Sequence, residues 1–173
     1  AISTSIGANG CVWAYNYLRE QIDDSPGDRL RDISLHGNYP YMNLFEGNVA
    51  EFAASSDWWG SAGPLNTFFR NRFDPSPTDP SGWNPPLQVQ HHSHQQVIVG
   101  NAMIRGQGIS ISGDSHNVFV SGNLIRGGVE WGAEGSGSLP ASLYLDQKPS
   151  FWGGRPWPGI GADVDGKADS NES

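Results

Sequence analysis

The sequence predicts an all-β chain wound as a parallel β-helix, and three observations predict it. Asparagines recur inside apolar runs, the residues around them are apolar at fixed offsets, and glycine (23) and proline (12) are abundant while charged residues make up only 16%. The asparagines are Asn16 in CVWAYNYL, Asn48 in NLFEGNVA, Asn71 in TFFRNRF, Asn101 in VIVGNAMI and Asn123 in VFVSGNLI, separated by 32, 23, 30 and 22 residues. Two intervals near 22 set a basic period, and the longer two are that period with loops inserted.

The flanking positions support the frame. Trp13, Phe45, Phe68, Ile98 and Val120 stand three residues before each asparagine, and Leu18, Ala50, Phe73, Met103 and Ile125 stand two after, all ten apolar in a chain that is 36% hydrophobic. A repeat of this kind is one supersecondary unit that buries its apolar face only when neighbours stack on it. Short β-like runs with Gly and Asn at the corners fit coils of a parallel β-helix. The Leu-x-x-Leu-x-Leu consensus of leucine-rich repeats is absent. Asn tolerates unusual backbone angles, and its amide both donates and accepts, so a stack of equivalent asparagines forms a hydrogen-bonded ladder at the bend. With coils about 4.8 Å apart, five coils span roughly 20–25 Å.

Two insertions, 21–41 and 74–90, carry the Pro and Asp of surface loops and are the first places to look for recognition. After Asn123 the pattern fades into one more expected strand, SLYL, and an aromatic and proline-rich wrap that covers the last coil. The expected organisation is coils with a C-terminal cap over 1–160 and a polar, flexible tail over 161–173.

Composition bounds the partners. The net charge is −8, and the ten basic residues are scattered singly, so a nucleic-acid footprint is not expected. A single cysteine, Cys11, leaves no internal disulfide and no Cys-based zinc site. Cys11 reads as a small core residue beside the first strand. No run of 18 apolar residues is present, so no membrane span is expected. The opening AISTSIGANG has no leader-like character and reads as the start of a processed or excised product.

The segments NLFEGNVAEF, NTFFRNRF, VIVGNAMI and SLYLDQKPSFWGGRPWPGIGADV resemble, in the same order, the C-terminal coils of bacterial right-handed parallel β-helix proteins of the pectate-lyase-like superfamily. The resemblance covers most of residues 7–165. It implies a right-handed parallel β-helix of about five to six coils, further coils before this region, and a secreted or cell-surface setting. No catalytic motif of pectate lyases, polygalacturonases or alginate epimerases matches residue by residue.

Candidate site residues each carry two readings. His92 and His94 in HHSH share a strand face and can offer two imidazoles to a metal, or simply form a polar turn entering QQVIVGN. Arg19, Arg105 and Arg126 follow the repeat asparagine by three or four residues. With Asp57, Asp114 and Glu46 they can line one catalytic groove, or be ordinary solvated positions. Of these, Arg105, Arg126, Asp114, Glu46 and Asp57 are the catalytic candidates. Seven tryptophans are many for this length. Trp58, Trp59, Trp83 and Trp131 can stack on sugar faces, and Trp152 and Trp157 lie in the wrap, while buried rings would only add apolar area. GADVDGKADSNE places Asp163, Asp165, Gly166, Asp169 and Glu172 with the spacing of a calcium loop, which makes Ca2+ a possible cofactor, although position 1 is Gly161 and no flanking helices are evident.

The expected function is that of an extracellular module binding or processing a polysaccharide, as a lyase or glycoside hydrolase if it is catalytic. The alternative is a structural module whose open coil end stacks on further N-terminal coils or on another copy of the chain.

Overall fold

The computed structural model describes residues 1–21, 31–56, 59–76, 85–133 and 135–168. The strands come in successive circuits. β1 (Ile2–Thr4) and β2 (Val12–Ala14) open the first, and β3 (Ile33–Leu35), β4 (Leu44–Glu46) and β5 (Val49–Ala50) make the second. The third holds β6 (Ala53–Ser55), β7 (Thr67–Phe69) and β8 (Arg72–Phe73), and the fourth β9 (Leu87–Val89), β10 (Val97–Val99) and β11 (Ala102–Met103). β12 (Ile109–Ile111), β13 (Phe119–Ser121), β14 (Asn123–Ile125) and β15 (Gly128–Glu130) close the stack.

Each circuit after the first adds a strand to each of three sheets, which reach five strands apiece and are ordered β1-β3-β6-β9-β12, β2-β4-β7-β10-β13 and β5-β8-β11-β14-β15. All pairings are parallel except β14 with β15. In the first circuit a parallel bridge from Tyr17 to Val49 stands in for the missing third strand. The chain is therefore all-β with stacked parallel sheets, a solenoid-like arrangement.

The register aligns the sequence frame atom by atom. Trp13, Phe45, Phe68, Ile98 and Val120 lie side by side across the second sheet. Ala50, Phe73, Met103 and Ile125 do so across the third. All of them, with Leu18, point into one core, where the Phe45 and Phe68 rings stack at 5.1 Å. Ile33, Leu35, Leu87 and Val89 close the core from the first sheet, with Ala53 small between them.

Five residue positions separate the two polar ladders that flank the second sheet. In one, each Oδ1 accepts both the backbone N–H and the Nδ2 of the preceding asparagine: Asn48 from Asn16, Asn71 from Asn48, Asn101 from Asn71 and Asn123 from Asn101, all at 2.9–3.0 Å. In the other, Cys11 N–H and Asn43 donate to Asn43 and Asn66 in turn, and Asn66 donates to Gln96. The inner steps of the first ladder satisfy groups that no water can reach, since Asn48, Asn71, Asn101 and Asn123 are fully buried.

The bend itself is not made by asparagine. The left-handed residue is the one before it: Tyr15, Gly47, Arg70, Gly100 and Gly122, with φ from 50° to 68°. Glycine takes this conformation freely, whereas a side chain there costs about 1–2 kcal/mol.

Two expectations for the C-terminal region change. SLYL is not a strand, because the Leu143 N–H is spent on the Glu46 carboxylate and the segment crosses the second sheet. The added strand is β15, folded back on β14 through Arg126 and Gly127, whose positive φ values of 52° and 80° make the two-residue turn that matches strand twist. The expected tail from 161 begins instead as helix α1 (Ala162–Ala168), packed on β11, β14 and β15, with Ala162 N–H donating to Gly100 O at 3.0 Å. At the opposite end, Val12 and Tyr17 on the first circuit are exposed. Among the described residues no helix is long and apolar enough to cross a membrane.

Replacing Asn71 by Ala strands the Asn48 N–H in the core, at about 1–3 kcal/mol, and removes one hydrogen bond each from Asn48 Nδ2, Asn101 Oδ1 and the Phe45 carbonyl, at about 1 kcal/mol apiece. Urea unfolding should show Asn71→Ala losing upwards of about 3 kcal/mol and Asn16→Ala, at the half-buried end of the ladder, about 1 kcal/mol. Equal losses at the two positions would contradict the ladder account.

Candidate functional site

The segment after β15 returns across the turn row of the second sheet, and two of the five turn positions carry the side chains that hold it. Arg70 is 2% exposed, and all five of its N–H groups are used. Nε donates to Pro140 O (2.7 Å), Nη1 to Ile160 O (3.3 Å) and Asp163 Oδ1 (2.6 Å), and Nη2 to Leu139 O (3.2 Å) and Asp163 Oδ2 (3.1 Å). Tyr15 is the other anchor. Its ring centroid lies 5.0 Å from that of Trp152, and its hydroxyl accepts the Trp157 indole N–H at 3.1 Å.

Between these anchors sits Glu46, on the outward face of β4 and 1% exposed. Its Oε2 accepts Leu143 N–H at 2.9 Å, while Oε1 is buried without a protein partner beside a cavity lined by Tyr15, Arg70, Trp152 and Ile160. That cavity has about 10 Å3, room for one water and for no sugar ring. Burial pushes the Glu46 carboxyl above its usual value, and the Ser142 hydroxyl, the Leu143 N–H and the Arg70 charge pull it back only in part. Burial, with the Tyr15 and Glu46 charges, pushes the Tyr144 phenol up to about 12. The cluster has the residue types of an acid–base site, but its chemistry is turned inward to hold the wrap.

A larger cavity, about 300 Å3, opens on the other side of the wrap. Its walls are Gly122, Val129, Trp131, Ser138, Leu139 and Asp163. β15 and the turn after it place Trp131, and Gly132 N–H fixes that turn by donating to Ser121 Oγ. Gly122 is what lets the indole sit there, since a Cβ on it would lie 2.8 Å from Trp131 Cζ3. Trp131 is half-buried, and its indole N–H has no acceptor among the described residues. Ser138 offers an exposed hydroxyl, and Asp163 offers a carboxylate fixed by Arg70. An aromatic wall with a few convergent polar groups on a rigid scaffold is the usual form of a small-ligand site.

Among the described residues the remaining candidates do not meet in one groove. Arg105 pairs with Asp74 (3.2 Å) and Pro75 O, and Arg19 donates to Asp74 O. Arg126 sits in the β14–β15 turn. Asp114 accepts the Ser112 hydroxyl and lies 3.8 Å from His92 Nε2, and the Ser112 hydrogen bond holds its carboxyl below the usual value. His94 accepts His116 N–H on Nδ1 and stacks on the His116 ring, and among the described residues no three His, Cys, Asp or Glu side chains converge to hold a metal. Trp59 is exposed beside His36. Asp57, Trp58, Trp83, Asp169 and Glu172 lie outside the described residues. Asp163 and Asp165, read as calcium-loop positions, are on α1 and pair with Arg70 and with Arg72 (2.5 Å).

The sequence reading did not single out Arg70 or Tyr15. A signal existed, because the residue before the repeat asparagine is Gly in three coils and these two in the others. No protein-family model, no curated protein and no solved structure matches the chain.

A carboxyl whose value is raised on folding contributes stability that is complete below its ordinary value, about 4.5, and is lost as pH rises through the folded value. Glutamine has no such loss. The melting temperature of Glu46→Gln relative to the parent should therefore move in the variant's favour between pH 4 and pH 7. A difference independent of pH would contradict the burial of Glu46 as a raised carboxyl.

Proposed function

We propose that this chain is a carbohydrate-binding module of right-handed parallel β-helix architecture, similar to the pectate-lyase-like proteins, and that it binds a glycan in the cavity beside Trp131. The handedness is supported by the general rule that parallel strands in one sheet are joined by right-handed crossovers in about 98% of cases. A secreted or cell-surface setting belongs to the same reading.

The observation that carries the binding site is the 300 Å3 cavity with a half-buried indole on its wall and a hydroxyl and a carboxylate on its rim. A sugar ring presents an apolar C–H face to the indole and hydroxyls to Ser138, Asp163 and the Trp131 N–H. Binding rather than catalysis is favoured because the buried Glu46 lies in a separate cavity of about 10 Å3 and the buried Asp165 is paired with Arg72.

Titration of the protein with neutral oligosaccharides, followed by tryptophan fluorescence and calorimetry, should give saturable binding. Trp131→Ala should weaken it by at least about tenfold, equivalent to about 1.4 kcal/mol, without lowering the melting temperature by more than a few degrees. Undiminished binding in Trp131→Ala would place the site elsewhere.

A further inference from the structure

Resting on that reading for the ligand it serves, we infer that residues 135–160 are a detachable strap, that a proton on Glu46 holds the strap down, and that a sugar beside Trp131 does the same. The strap is lightly held. None of its residues is buried, and among the described residues no backbone hydrogen bond joins it to a strand. A segment with few buried apolar contacts and exposed backbone opens at low cost while the rest of the molecule stays folded. Side chains on the stack do the holding. Arg70 donates to the carbonyls of Leu139, Pro140 and Ile160, the Tyr15 hydroxyl accepts the Trp157 indole N–H, and the Glu46 carboxyl accepts the Leu143 N–H.

Among these anchors, the hold of Glu46 depends on a proton. The charged and titratable groups facing it are Tyr15 in the turn after β2, Arg70 in the turn after β7, and Tyr144 on the strap. Burial raises both phenols, which stay neutral, and Arg70 lends charge but no hydrogen bond, its five N–H groups being committed elsewhere. With the strap down, burial raises the Glu46 carboxyl; with it up, the carboxyl meets water at its ordinary value, about 4.5. Below that value Glu46 is protonated in both states, and closing costs no ionisation. As pH rises through the covered value the proton is lost, and a buried carboxylate opposes closing. The strap also brings Gly137, Ser138 and Leu139 to the larger cavity, opposite Gly122, Trp131 and Asp163. A ligand touching both sides binds with the strap down and, by linkage, favours that state.

Hydrogen exchange at the Leu143 N–H reads the opening, with the Asn71 N–H as the reference for global unfolding. After correction for intrinsic exchange, the opening constant at Leu143 should exceed that at Asn71 and rise at least about threefold between pH 4 and pH 7. In Glu46→Gln, which keeps an acceptor for the Leu143 N–H but cannot ionise, it should stay level. Cellohexaose or mannohexaose, at roughly ten times its Kd, should lower it about tenfold. Leu143 opening at the same free energy as Asn71, or a rise with pH that Glu46→Gln shares, would overturn the proton-held strap. A sugar that binds yet leaves Leu143 exchange unchanged would overturn the coupling of strap to cavity, with the carbohydrate reading intact. If neither sugar binds, the carbohydrate reading fails and the sugar coupling with it, while the pH dependence at Leu143 still decides the strap.

Discussion

The whole structure depends on keeping buried amides paired at every bend. Strands of two or three residues offer few hydrogen bonds, so a stack of them holds its register only if the corners are also bonded. The asparagine column does this by joining side chain and backbone of one circuit to the side chain of the next, at 2.9–3.0 Å throughout. Because four of the five asparagines in the column are fully buried, a slip of one residue would leave several unpaired groups at once. Loops of different length can then be inserted between circuits, as the 30- and 32-residue intervals require, without disturbing the aligned core.

The same row of bends explains how the wrap is attached. Three of its five left-handed positions are glycine, and they keep the surface low enough for Leu139 and Trp131 to approach Gly100 and Gly122. The two that are not glycine accept backbone strain and offset it with contacts. Arg70 gains five hydrogen bonds to the wrap, and Tyr15 gains ring contacts and a hydrogen bond from Trp157. Attachment of the wrap creates both cavities: a small one over Glu46 and a larger one beside Trp131.

Much of the stack was legible in the sequence because its signal is positional. Nine of the ten apolar residues framing the asparagines are aligned residues of two sheets, Leu18 packs into the same core, and the column itself is bonded as a ladder. The first sheet was not legible, since three-residue strands such as Ile33–Leu35 and Ala53–Ser55 are too short for alternation to stand out. The second ladder hid behind mixed identities: Cys11, Asn43, Asn66 and Gln96 share an offset but not a residue type. The site was least legible. Arg70 meets Asp163 across 93 residues, and Glu46 meets Leu143 across 97, so no local pattern announces either contact. Two of the acids spaced like a calcium loop, Asp163 and Asp165, pair with Arg70 and Arg72.

The measurement that bears most directly on the ladder is hydrogen exchange at the backbone amides of Asn48, Asn71 and Asn101. Each donates to the next asparagine's Oδ1 in a fully buried site. If the column holds the register of the stack, these three amides exchange only through global unfolding and share one free energy of opening, the highest in the molecule. Separate, lower opening energies at the three positions would show that circuits open one by one, and that the ladder follows the stack rather than holding it.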